Sequence, residues 1–383
     1  MIDQGVTEYD EAQLRALFLP PYQAAIDSGA LIVMNSFSSW GGTKMSANKY
    51  LLTDVLKTEL GFKGFIVSDW ASIDQITSDY YQANVAGINA GIDMSMVPYD
   101  ATRFISTIQK AIENGDISLE RIDDAVRRIL YVKFVLGLFE RPYADPSLLG
   151  LVGSEPHRII AREAVAKSLV LLKNDNDALP LAKDTPLIFV AGKAADNIGI
   201  QCGGWTIQWQ GLAGNITPGT TILDAINATV LNPEAVHYNQ AGNFDDLKDA
   251  NGSPLIADVG IAVVGEKPYA EGQGDARSLD LPTDQIAMLE RMRQSVRTLI
   301  VIIISGRPII ITDQFDLADA WVAAWLPGTE ALGITDVLFG DVAFTGKLPY
   351  TWPSSYDQLP LNLNNQAESG QQPLFEFGFG ICP

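Results

Sequence analysis

Three short runs constrain this chain more than any other feature: LIFVA from Leu187, IAVVG from Ile261 and LIVIII from Leu299 contain no polar residue. A half-exposed strand alternates polar and apolar residues, so runs of this kind belong to strands buried on both faces, as in a parallel sheet covered by helices. Helical patterns such as 283–296 lie between them, and a further strand is expected around Trp321. Residues 186–383 are therefore expected to form an α/β/α sandwich.

The first part repeats the pattern with shorter strands, expected over 31–34, 64–67 and 92–94. Each runs into polar residues at its C-terminal end: Asn35 and Ser36, then Ser68 and Asp69, then Ser95 after Asp93. In parallel α/β folds that end collects the ligand-handling groups. Helices are expected over 47–60, closed by Gly61, over 76–91, and over 118–138 with Ser118 as N-cap and Arg127, Arg128 and Lys133 toward the end that favours cations. Pro142, Pro146 and Pro156 and a helix over 158–173 mark a connection. The expected domains are 1–145, a linker with a helix over 146–185, and 186–383.

Charge and composition narrow the function. With 26 Lys and Arg against 46 Asp and Glu, the formal charge of −20 repels a phosphate backbone, so nucleic acid is not an expected partner. No apolar run approaches the roughly 20 residues that span a bilayer, so no membrane partner is expected, and the start MIDQGVTEYDEAQ has no basic region followed by an apolar one. Two cysteines, Cys202 and Cys382, are too few for a disulfide scaffold, and two histidines, His157 and His237, cannot build a multi-histidine metal site. No metal and no cofactor is expected.

Three segments carry candidate chemistry. In GFKGFIVSDWASIDQI, Asp69 follows a buried strand and precedes Trp70. A carboxylate beside an indole suits attack on a sugar carbon, because the ring stacks on the aromatic face while the carboxylate meets developing positive charge; the alternative is that Asp69 caps the next helix. QCGGWTIQWQG places Trp205 and Trp209 in a glycine-rich loop, either a sugar clamp or a packing element. GEKPYAEGQGDARSLDL carries Glu266, Glu271 and Asp275, any of which could protonate a leaving oxygen if the loop is more than a solvated acidic stretch. VAGKAADN, after the run at Leu187, suggests nucleotide binding but lacks the full G-x-G-x-x-G spacing.

Together with MNSFSSWGGTKMSAN and PGTEALGITDVLFGDVAFTGKLPYTWP, these segments resemble family 3 glycoside hydrolases over nearly the whole chain, and most closely the β-glucosidase and exo-β-1,3/1,4-glucanase branch. The resemblance implies a retaining, exo-acting hydrolase that releases glucose from β-linked gluco-oligosaccharides. Asp69 is then the nucleophile that forms the glycosyl-enzyme and Glu271 the acid/base, while Trp70 and Trp209 flank the +1 sugar and Met34 lines the site. Retention implies carboxyls roughly 5–5.5 Å apart, contributed by separate domains. It also implies work outside the cytoplasm, secreted or periplasmic, on β-glucan.

The family's first domain is a (β/α)8 barrel, and the three expected strands match only its sixth to eighth. The resemblance therefore implies a partial barrel, with the residues that grip the −1 sugar absent from this stretch; truncation, a split enzyme, or a shortened homologue whose strands are supplied by another chain or by a homo-oligomer would each account for it. A catalytically impaired or purely carbohydrate-binding piece stays open as the alternative. Phe37 and Gln75 stand where close relatives carry Tyr and Arg. An N-acetylglucosaminidase reading is disfavoured by Glu271, since that branch takes its acid/base from a His–Asp pair.

Overall fold

The computed structural model describes residues 4–361, 370 and 372–382. They fall into two compact units, Met1–Pro146 and Ser147–Pro383.

In the first unit, β1 (Val6–Thr7), β3 (Ser39–Trp40) and β4 (Thr43–Lys44) form a small ribbon, and β2 (Ile32–Met34) pairs in parallel with β5 (Phe65–Val67). The strand expected over 92–94 is reduced to one parallel bridge, Val67 to Met94. Asp93 is the reason: its Oδ2 accepts the Ile66 amide at 2.9 Å, so a side chain takes the place of a backbone partner in the ladder. Among the described residues these parallel segments do not close into a barrel, and no strand pairs with the other edge of β2.

Three helical segments back this sheet. Tyr50–Glu59 winds in wide π turns and ends against Gly61 at φ +70°, a conformation that suits glycine. Tyr80–Ala90 starts at Asp79, which accepts the Gln82 amide, and Leu119–Val135 starts at Ser118, which accepts the Arg121 amide. The helix expected over 76–91 thus begins later, at Tyr80, where Asp79 caps it.

The second unit is built on one sheet in the order β6–β11–β10–β9–β7–β8. Its strands are β6 (Val170–Asn174), β7 (Ile188–Ala191), β8 (Val236–Asn239), β9 (Ala257–Gly265), β10 (Val296–Ile304) and β11 (Ala320–Trp325). All neighbours run parallel except β6, which lies antiparallel on β11. In β10, Ile300, Ile302 and Ile304 face one core with helices Glu155–Ser168, Ile222–Thr229 and Leu332–Leu338. Leu299, Val301 and Ile303 face a second core with Thr283–Ser295 and the C-terminal Trp352 and Phe375. Both faces of the strand are covered, so alternation is absent from the run at Leu299, and the expected α/β/α sandwich is present.

A further expectation is corrected. The helix expected over 158–173 runs Glu155–Ser168, and the chain then turns extended at Leu169 into β6. The stretch read as a linker is in its second half an edge strand of the sheet. Its helix is tied down by bidentate pairing of Arg158 with Glu330, at 2.8 and 3.3 Å.

Candidate active site

Asp69 stands at the carboxyl end of β5, where the backbone is held from both sides. The Asn35 amide donates to the Val67 carbonyl at 3.0 Å and the Ser68 amide to the Met94 carbonyl at 2.8 Å. The Ser68 hydroxyl donates to the Asp69 carbonyl and accepts the Met96 amide, both at 2.8 Å. Asp69 Oδ1 accepts the Trp70 amide at 2.6 Å, and Oδ2 accepts no hydrogen bond among the described residues. The turn that follows, Ser72–Gln75, has no side-chain cap, so the capping alternative for Asp69 fails on geometry.

A half-buried carboxylate with one oxygen tied back and the other unengaged is oriented rather than consumed by the fold. Trp70 beside it is 56% exposed and Met34, at the end of the neighbouring β2, 53% exposed; neither side chain is spent in the core. Lys44 donates to the Phe37 carbonyl and to Gln75 Oε1, at 3.2 and 3.1 Å, so both departures from the family pattern lie on one lysine.

In the second unit the candidate loops leave the carboxyl ends of β7 and β9, beside the point where the strand order reverses. Glu266, directly after β9, is fully committed. It pairs with Arg307 at 2.6 Å and accepts the Tyr269 and Ser305 hydroxyls at 3.1 and 3.3 Å. Burial, reinforced by this carboxylate, pushes the Tyr269 phenol up to about 12, and the Arg307 guanidinium lies over the Tyr269 ring.

Glu271, five residues on, is exposed, sits at φ +50° and makes no side-chain hydrogen bond or ion pair among the described residues. A non-glycine residue in the left-handed region is strained, and here the strain is held by neighbours. The Ala270 amide donates to Gln210 Oε1 at 2.9 Å, and a Cβ at Gly204 would lie 2.1 Å from the Tyr269 carbonyl. The loop of Trp205 and Trp209 is thereby clasped to the loop of Glu271. The Trp205 amide closes its own loop on the Trp209 carbonyl at 2.9 Å, and the two indoles stand 6.3 Å apart at 51°, both exposed.

The division of labour among the loop's carboxylates has a measurable form. Glu266→Ala strands Arg307 and is expected to destabilise the second unit by about 2–3 kcal/mol, whereas Glu271→Ala leaves its urea midpoint unchanged. Equal midpoints for the two variants would remove the distinction.

Gly192, in the segment that suggested a nucleotide turn, has φ +100°, and a Cβ there would lie 2.0 Å from the Val263 carbonyl. Packing against β9 accounts for this glycine without a phosphate. Sequence reasoning did not find Arg307, Tyr269 or Gln210. SGRP after β10 was the one visible signal, an arginine at a strand's carboxyl end.

Comparison with known proteins follows this division. The Glycosyl hydrolase family 3 N terminal domain model matches residues 2–132 and the Glycosyl hydrolase family 3 C-terminal domain model matches 169–382. The chain belongs to glycosyl hydrolase family 3. It is 31% identical to a periplasmic beta-glucosidase of Salmonella typhimurium over 99% of this chain and 56% of that protein. It is 32% identical to a lysosomal beta glucosidase of Dictyostelium discoideum over 99% of this chain and 49% of that one. Its structure is similar to that of an exo-1,3/1,4-beta-glucanase from a Pseudoalteromonas species, with TM-score 0.89 and 37% identity, covering 99% of this chain and 62% of that one. The chain thus spans about half the length of the curated relatives it matches.

Proposed function

We propose that this chain carries the catalytic carboxylates of a retaining, exo-acting β-glucoside hydrolase that releases glucose from β-linked gluco-oligosaccharides. Asp69 attacks the anomeric carbon and the aglycone oxygen leaves with the proton of Glu271. Glu271 then takes a proton from water, which displaces Asp69 and restores both groups. Trp70, Trp209 and Met34 supply the surfaces on which the sugar stacks. The observation that carries the reading is the unengaged oxygen of Asp69 at a strand's carboxyl end beside an exposed indole.

The test is the first-formed anomer of glucose released from an aryl β-glucoside, whose aglycone is not a sugar, followed by proton NMR. Double displacement gives β-glucose first. Release of α-glucose first removes the mechanism, and no glucose at all removes the hydrolase reading in favour of a binding piece.

Two coarser readings accompany it. Family relatives named periplasmic and lysosomal support work outside the cytoplasm, and no helix among the described residues is long and apolar enough to cross a membrane. The edge of β2 that pairs with no strand among the described residues, where Ile32 is 50% exposed, supports a further parallel strand docking there, from another chain or from a second copy. Sedimentation as a bare monomer together with full turnover would remove that part.

A further inference from the structure

Beside the Asp69–Trp70 corner, and wholly within the first unit, lies a cavity of about 170 Å³ that the proposed mechanism does not use. Its lining includes Asp74, Tyr80, Ser95, Tyr99, Asp100 and Arg103. The Ser95 hydroxyl is buried there with no hydrogen-bond partner. Buried polar groups are nearly always satisfied, so an orphan facing a cavity points to an occupant that supplies the missing bond. Tyr99 forms the rim with 86% of its surface exposed, and no core contact accounts for an aromatic ring placed so far into solvent. Its ring meets Trp70 edge-on, with centroids 6.3 Å apart at 89° and the Trp70 indole nitrogen 3.5 Å from the Tyr99 hydroxyl. The floor is stiff: Arg103 lies over the Tyr80 ring at 4.0 Å, and Asp100 accepts the Arg103 amide at 2.9 Å.

We propose that this cavity is a second sugar subsite, which takes a pyranose unit of the same β-glucan chain beyond the one that stacks on Trp70. Its chemistry selects a neutral polyol. Two carboxylates accept, one guanidinium donates and the hydroxyls of Ser95, Tyr80 and Tyr99 can do both, which matches the mixed donor and acceptor demand of vicinal sugar hydroxyls. The pair of carboxylates repels an anion, while the Tyr99 face offers an apolar surface to the C–H groups of the ring. The Ala71 amide donates to the Met96 carbonyl at 3.2 Å, which fixes the cavity's wall to the segment that carries Asp69, so occupancy and the proposed nucleophile share one rigid support. The choice of glucan as ligand rests on the hydrolase reading; the existence of the subsite rests on the orphan hydroxyl and the exposed ring.

Calorimetric titration of the full chain with laminaritetraose, beside Tyr99→Ala and Ser95→Ala, tests it. Tyr99→Ala is expected to weaken binding about tenfold and Ser95→Ala about threefold. Ser95→Ala removes an unsatisfied group, so its thermal midpoint stays level or rises while affinity falls, a combination that a merely structural serine does not produce. Undiminished affinity in both variants, or no binding by the parent chain, overturns the subsite. Loss of affinity in both without any glucose release by the parent leaves the subsite standing and removes the hydrolase reading instead.

Discussion

Asp69→Ala is expected to abolish release of the aryl group from an activated aryl β-glucoside, by at least about a thousandfold relative to whatever rate the parent chain sustains, with no change in stability. The structure supports the second half of that statement. Only one oxygen of Asp69 is held, by the adjacent Trp70 amide, and no helix or ion pair depends on it, so its removal costs the fold little. In the proposed mechanism the chemistry depends on it wholly, because without a nucleophile there is no glycosyl-enzyme. Glu271→Ala behaves differently in kind. An activated aryl group leaves without a proton, so the first step survives, and the second lacks the base that activates water. Azide needs no base: its nitrogen bonds to the anomeric carbon as the Asp69 carboxylate departs, giving β-glucosyl azide and restoring turnover. Rescue of Glu271→Ala through β-glucosyl azide, with any azide product of Asp69→Ala being the inverted α-glucosyl azide, assigns the two roles; identical, unrescued losses would falsify them.

That assignment was legible in part from sequence, and the parts divide by physical cause. Asp69 was visible because a fully buried strand ends abruptly in SDW, and the end of a parallel strand is where side chains meet solvent. Glu271 could not be told from Glu266 by spacing, because what separates them is Arg307, 41 residues from Glu266 along the chain and adjacent to it only after β9 and β10 pair. The long apolar strands β9 and β10 were readable for the same reason that they are stable, burial on both faces. β8, with the sequence VHYN, and β6, ending in Lys173 and Asn174, are strands of the sheet's two borders, polar enough to pass for loop or helix. The segment 92–94 looked like a strand and is not one, since Asp93 substitutes a carboxylate for a backbone acceptor.

Asp93→Ala is expected to be the most damaging substitution in the first unit, costing about 3–5 kcal/mol, although Asp93 reads in the sequence like one more polar residue at a strand end. Its side chain is fully buried and gathers three partners: Lys57 at 2.8 Å, Arg121, and the Ile66 amide. Lys57 also donates to the Gly91 carbonyl at 2.7 Å, and Arg121 to the Ile88 carbonyl at 3.1 Å. Removing the carboxylate leaves Lys57 and Arg121 sharing the single, partly exposed Asp124 and an unpaired amide in the ladder. Lys57→Met should cost little by comparison, because Arg121 still neutralises Asp93 and an apolar chain of similar length fills the same space. Burial drives the Lys57 ammonium down to about 8 from its ordinary 10.5, against the pull of Asp93. The folded value lies below the unfolded one, so the unfolded chain holds the proton more tightly, and this group's contribution to stability rises as pH climbs from about 8 to about 10.5. Urea unfolding read by hydrogen exchange of the β2 and β5 amides should therefore show a large loss in Asp93→Ala. In Lys57→Met it should show a near-parental midpoint at pH 7 and no gain on going alkaline. A large loss in Lys57→Met at pH 7 would mean that the lysine, rather than the carboxylate, holds this corner together.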